Sequence, residues 1–225
     1  MADKGAIVEF DFTVLKGAEI LCDTAKRFLM ELDGIGLDAP TEARFLAGAT
    51  YLDGLSRLFE SVKTKKTALK AARDLADAFS ARVTEVLPTA VTQGFRNFAK
   101  VLVDAGVKVV IATRADICSD GVRHAFGDLL GNGVVLFQDT STGYGSMPWE
   151  SWRLAGRRNG FRNTSAIAVT GSGYGVKSAL RCGMGALAVV NGHVAYQDFG
   201  GAGEVVAALD TAAAKKALSL LHVGP

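Results

Sequence analysis

The chain begins its ordered pattern with a short apolar run over residues 6–12, broken at Glu9 and Asp11. Its length and β-branched content predict a buried strand. Two carboxylates inside such a run are the first departure from pattern, and in a strand residues i and i+2 share a face, so both acids are expected to point the same way. From Gly17 to about Leu87 the period changes to three-to-four spacing. Ile20, Ala25, Phe28, Leu29 and Leu32 fall on one helical face, followed by Phe45, Leu46, Tyr51, Leu52, Leu55, Leu58 and Phe59, with Gly34, Gly36 and Pro40 as punctuation. This predicts a helical block of roughly seventy residues, long enough to form a subdomain.

Beyond Pro88 helices and strands alternate. Helical 95–103 leads to strand 107–113, 121–130 to 134–137, 149–158 to 165–170, and 176–180 to 186–190. Four such units predict right-handed crossovers and a parallel sheet covered on both faces, with the 6–12 strand near its centre. Ligands of such sheets sit at the carboxyl ends of the strands. The residues to inspect are therefore 9–13, Thr113, Asp139 and 170–175.

Composition narrows the class. The 225 residues include 25 Lys+Arg against 23 Asp+Glu, 49% hydrophobic residues, 26 Gly, 4 Pro and 3 Cys, which excludes a disordered, collagen-like or disulfide-rich chain. A net charge of +2 gives no global pull toward nucleic acid or an anionic membrane. The clusters Lys63-Thr64-Lys65-Lys66 and Arg157-Arg158 lack interleaved aromatics and read as solvated helix faces, so no nucleic-acid partner is expected. With an acid and a base ahead of a short apolar run and no apolar run of about 20 residues, neither a secretory leader nor a membrane span is expected. Cys22, Cys118 and Cys182 are odd in number and widely separated, so a reducing, cytoplasmic location is expected. His124, His193 and His222 lack metal-ligand spacing.

A strand ending in paired acids, a helical insert directly after it, a strand ending at Thr113, a Pro-started helix at Met147-Pro148-Trp149-Glu150 and a Gly-rich turn over 171–175 together resemble the haloacid dehalogenase (HAD) superfamily. The branch resembled is the phosphatase/phosphoglycolate phosphatase-like one, with a helical cap after the first strand. Leu87-Pro88, Asp104-Ala105-Gly106 and Cys182-Gly183-Met184 extend the likeness over nearly the whole chain. It implies an α/β fold: a three-layer, Rossmann-like α/β/α core over 1–15 and 87–225, and an α-helical cap over 16–86.

The resemblance also implies a phosphohydrolase site, from which this chain departs at several points. The family's Asp-x-Asp-Gly-Thr loop supplies a nucleophile, a general acid/base and a magnesium bridge. Matched without gaps, it places Glu9 at the nucleophile, Asp11 at the acid/base, Phe12 at the Gly and Thr13 at the Thr. A rival register makes Asp11 the nucleophile and Thr13 the acid/base. Glu at the nucleophile adds a methylene and displaces the attacking oxygen by about a bond length, where ~1 Å matters. Thr113, followed by Arg114, matches the family's phosphate-holding Thr or Ser. The family's Lys before the Pro is replaced by Met147, and its magnesium-holding acids by Thr170-Gly171-Ser172. Phosphoryl transfer rests on positioning and charge neutralisation, so these losses remove central parts. Gly171, Ser172 and Gly173 open a strand-to-helix turn that is either an anion cradle or a tight packing turn.

The favoured reading is a catalytically degenerate HAD-like protein. It would bind a small phosphorylated or acidic metabolite through Thr13, Thr113, Arg114 and Gly171, Ser172 and Gly173, or a protein partner. Magnesium, held by Glu9 and Asp11, follows only for an active enzyme. That is the alternative: a magnesium-dependent phosphohydrolase using Asp11 or Glu9, with Lys177 or Arg114 replacing the missing cation. A third reading is an interaction module that homodimerises through the apolar cap face around 45–59.

Overall fold

The computed structural model describes residues 4–46, 51–113, 125–139, 146–190 and 197–223. Six parallel strands form one sheet: β1 (Gly5–Glu9), β2 (Lys108–Thr113), β3 (Val134–Gln138), β4 (Ala166–Thr170), β5 (Gly185–Val189) and β6 (Glu204–Val206), in spatial order β3-β2-β1-β4-β5-β6. β1 lies inside the sheet, with Val8 in register with Ile111 of β2 and Val169 of β4.

Period-two alternation divides the strand residues between two cores. Ala6, Val8, Val109, Ile111, Ile167, Val169 and Leu187 point toward α6 (Gln93–Asp104) and α9 (Thr211–Leu220), where Phe95, Phe98, Leu102, Ala213 and Ala217 are buried. Ile7, Val110, Ala112, Ala166 and Ala168 point toward α7 (Trp149–Arg158) and α8 (Gly173–Arg181), against Trp152, Ala155 and Ala179. Covering both faces explains why these strands read as continuous apolar runs.

Between β1 and β2 the described residues form helices and no strand: α1 (Phe10–Thr13), α2 (Gly17–Asp33), α3 (Ala39–Phe45), α4 (Tyr51–Val62) and α5 (Ala68–Ala90) precede α6. Leu21, Ala25 and Leu29 of α2, Leu55, Leu58 and Phe59 of α4, and Ala72, Leu75 and Val83 of α5 share one buried cluster. Phe28 and Phe59 meet edge to face, 5.8 Å between centroids. Gly34, at φ 66°, closes α2 in the left-handed conformation, its N–H and that of Ile35 bonding to Met30 and Leu29 carbonyls. Asp38 then caps α3 by accepting the Thr41 N–H at 2.9 Å. α5 carries on through Leu87 and Pro88 to Ala90.

Two readings of the sequence need correction. The first strand ends at Glu9, and residues 10–13 form a helical turn in which the Phe10 carbonyl accepts the Val14 and Leu15 N–H groups. Phe10 and Phe12 are both buried by this turn, Phe10 against Phe126 at 5.4 Å. Strand alternation therefore does not set the relation of Glu9 to Asp11. At the other end, β6 and α9 had no counterpart in the apolar pattern; α9 is alanine-rich and is opened by Asp210, which accepts the Ala213 N–H. Of the helix expected over 121–130, residues 121–124 lie outside the described residues, and 127–129 form a turn. No described helix is long and apolar enough to cross a membrane.

Cys22 lies on the buried side of α2, where burial first and then the Glu42 carboxylate push its thiol up to about 12. The thiolate is the reactive form. Iodoacetamide at pH 8 is therefore expected to leave Cys22 unmodified in the folded protein and to modify it once guanidinium unfolds the chain, as read by peptide mass spectrometry.

Candidate functional site

The carboxyl ends of β1, β2 and β4 bring together Glu9, Asp11, Thr113 and Thr170, all buried. Glu9, the last residue of β1, has no solvent exposure. Its Oε1 accepts the Met147 N–H at 2.6 Å, and its Oε2 accepts the Thr170 hydroxyl. Its carbonyl accepts the Thr13 hydroxyl at 2.6 Å, which ties the β1 end to the α1 turn. Asp11, in that turn, accepts the Thr113 hydroxyl at 2.8 Å. A buried carboxylate is tolerated only where donors face it, and here neutral dipoles from two other segments do so.

The segment before α7 is fixed from three sides. Ser146 Oγ bonds to Ser172 Oγ at 2.6 Å, the Met147 N–H reaches Glu9, and the Met147 carbonyl accepts the Trp152 indole N–H at 3.0 Å. The Met147 side chain is buried in the apolar layer with Trp152. At the end of β3, Asp139 accepts the Ser151 hydroxyl and donates its own N–H to the Thr113 carbonyl at 3.0 Å.

The Gly-rich turn is shaped by close approach. A Cβ on Gly171 would lie 2.1 Å from the Phe12 carbonyl oxygen, and one on Gly173 2.4 Å from the Asp198 carbonyl oxygen. Three N–H groups of the turn meet protein acceptors. Ser172 N–H donates to Thr170 Oγ1 at 3.3 Å, Gly173 N–H to Gln197 Oε1 at 2.6 Å, and Gly175 N–H to Ser172 Oγ at 2.9 Å. An anion bound at this turn would have to displace Gln197 and the capping Ser172.

The sequence-predicted residues thus separate. Glu9, Asp11, Thr13, Thr113 and Ser172 lie in one hydrogen-bonded region, together with Gly171 and Gly173. Arg114 lies outside the described residues. Lys177, the alternative cation, turns away: its Nζ pairs with Asp198 at 2.8 Å on the surface, with both side chains more than half exposed, which holds the Asp198 carboxyl below its usual range. The sequence reading missed the partnership of Glu9 with Thr170 and the Met147 backbone. Its signal was present, since these are the positions where the resembled family carries its metal acid and its lysine.

Among the described residues the donor set does not fit magnesium. That ion needs near-octahedral oxygen ligands, whereas both Glu9 oxygens accept protein hydrogen bonds, Asp11 accepts from Thr113, and Gly171 has no room for an acid. Among the described residues no group of three or more His, Cys, Asp or Glu is placed to hold a metal ion.

No protein-family model matches the sequence, and no curated protein does. Solved structures match over nearly the full chain. A CbbY mutant from Rhodobacter sphaeroides in complex with xylulose-(1,5)bisphosphate superposes with TM-score 0.73 at 15% identity, covering 92% of this chain and 95% of that one. A HAD hydrolase of family IA, variant 3, from Entamoeba histolytica gives 0.73 at 13%, covering 97% and 99%. β-Phosphoglucomutase from Clostridium difficile gives 0.71 at 12%, covering 92% of each. The fold is therefore that of the HAD superfamily, a parallel Rossmann-like sheet with helices on both sides.

Two substitutions test this geometry. Thr170→Val keeps the shape but removes a donor from a buried carboxylate, and is expected to cost about 3 kcal/mol in urea unfolding. Gly171→Ala forces a methyl group against the Phe12 carbonyl and is expected to cost at least about 2 kcal/mol. Unchanged midpoints would contradict the arrangement.

Proposed function

We propose that this chain is a non-catalytic protein on a phosphatase-like HAD frame, which binds a small phosphorylated or acidic metabolite without hydrolysing it. The observation that carries this reading is the Glu9 carboxylate. At the position of the family's nucleophile, it is buried and accepts the Met147 N–H and the Thr170 hydroxyl. Attack on phosphorus needs a carboxylate oxygen in line with the phosphoryl group and a cation to neutralise the developing charge. Glu9 is turned into the protein, and the lysine and metal-acid positions hold Met147 and Thr170-Gly171.

Binding is assigned to the cavity of about 520 Å³ beside this region, lined by Phe12, Thr13, Lys16, Glu19, Thr92 and Asp210 among others, with the Asp210 carboxylate engaged in capping α9. Its volume suits a small metabolite, and Lys16 at its wall offers a cation to an anionic group. The CbbY structures in complex with phosphate and with xylulose bisphosphate support a phosphorylated ligand class on this fold. In this reading residues 16–86 serve as the cap over a core of 1–15 and 87–225.

Hydrolysis of an aryl phosphate and of a panel of phosphorylated metabolites, with and without magnesium, tests the reading beside Glu9→Gln and Asp11→Asn. The expected result is no metal-dependent turnover in any of the three proteins. Turnover abolished by either substitution would establish the phosphohydrolase alternative. In parallel, a phosphorylated metabolite at a hundredfold excess over its dissociation constant should stabilise the protein by about 2.7 kcal/mol. Lys16→Gln should reduce that shift.

A further inference from the structure

Between residues 149 and 185 the chain carries five arginines and one lysine against a single acid, Glu150, an excess of five positive charges in a chain whose total is +2. Arg153, Arg157, Arg158, Arg162 and Arg181 are exposed, and none of the five enters an ion pair among the described residues. The lysine, Lys177, is already neutralised by Asp198. Arginine left without a carboxylate on a folded surface presents a planar fork of donors suited to phosphate.

The fold supplies the aromatic component that the linear sequence appeared to lack. Trp149, half-buried at the start of α7, has the Arg153 guanidinium carbon 5.3 Å and the Arg181 guanidinium carbon 5.0 Å from its ring centroid. Arg181 comes from the last turn of α8, so the indole joins the two helices into one surface. Trp149, Arg153 and Arg157 follow one another at four-residue spacing along one stripe of α7. Tyr174, 43% exposed, precedes Arg181 by seven residues and shares its stripe of α8. Each helix therefore carries an aromatic ring in line with arginine, and the two stripes meet at Trp149.

We propose that this α7–α8 surface binds single-stranded nucleic acid, the arginines taking backbone phosphates and Trp149 and Tyr174 stacking on bases. Positive charge tracking a backbone, interleaved with aromatic planes and arginine–π contacts, is the recognition mode of sequence-tolerant single-strand binders. An acidic protein segment would satisfy the arginines but would leave the two rings without a matching planar group, whereas nucleobases use both. The proposal does not rest on the reading given for the cleft.

The test is fluorescence anisotropy with 15-nucleotide oligodeoxyadenylate and oligoadenylate, and with poly-glutamate of equal charge, at low salt. Intrinsic tryptophan emission is followed in parallel. Since Trp152 is fully buried, quenching on binding reports Trp149. Both oligonucleotides should bind and quench, and their ratio shows which sugar is preferred. Arg153→Gln with Arg181→Gln should weaken binding at least tenfold and lower the slope of log affinity on log salt by about 1.4. Lys70→Gln with Lys215→Gln, an equal charge loss elsewhere, should change affinity less than twofold. Trp149→Phe, which keeps a ring, should fold normally and lose the quenching. Absence of binding, or equal weakening by the two double variants, overturns the proposal. Poly-glutamate binding as well as the oligonucleotides, with no quenching by either, overturns it in favour of an acidic protein partner.

Discussion

The cleft depends on how one buried carboxyl group is hydrogen-bonded. Glu9 stands at the end of the strand that the rest of the sheet flanks, without solvent exposure, and receives the Met147 N–H and the Thr170 hydroxyl. In a low-dielectric setting a carboxylate must be paired or hydrogen-bonded, and removing one of its donors costs more than the bond contributed. The two donors come from the segment before α7 and from the end of β4. Glu9 thereby ties the end of β1 to two other parts of the chain.

Much of the fold was legible in the sequence because it follows from periodicity. β1, β2, β4 and β5 read as apolar runs since both sheet faces are covered, and α2, α4 and α6 read as helices since each buries one stripe. The pattern failed where local hydrogen bonding or small residues replaced periodic burial. Residues 10–12 alternate like a strand, but the Thr13 hydroxyl on the Glu9 carbonyl and the burial of both Phe10 and Phe12 fold them into a turn. β6 is three residues long and α9 buries mainly alanines, so neither gives a strong apolar signal. In the cleft, motif spacing located Glu9, Met147 and Thr170 but could not show that they bond to one another, because that contact spans strands far apart in sequence.

Charge shows the same limit of the linear view. A net +2 suggests a molecule with no electrical preference, yet the cleft holds buried acids where a lysine is absent, while arginines without acids gather on α7 and α8. Arg157-Arg158 looked like an ordinary solvated pair because Trp149 lies eight residues before it and Arg181 well over twenty after. Only the packing of α7 on α8 brings Arg181 to the Trp149 ring that Arg153 also meets.

The cleft substitutions are best understood as one mutually dependent set. A glutamate is one methylene longer than the aspartate of the resembled loop, and that reach suits an acid that spans to the Thr170 hydroxyl and the Met147 N–H on neighbouring segments. Thr170 supplies a donor where an acid would have repelled Glu9 at close range. Methionine at 147 fills the apolar layer beside Trp152, where a lysine would have had to bury its ammonium group or turn outward. The absence of a side chain at 171 lets the Phe12 carbonyl come within 2.1 Å of where its Cβ would stand. Placing any one of the resembled family's residues here alone would meet an unsuited neighbour: an acid at 170 would face Glu9, and one at 171 would face a backbone oxygen. Under such coupling single substitutions in this region are expected to be non-additive.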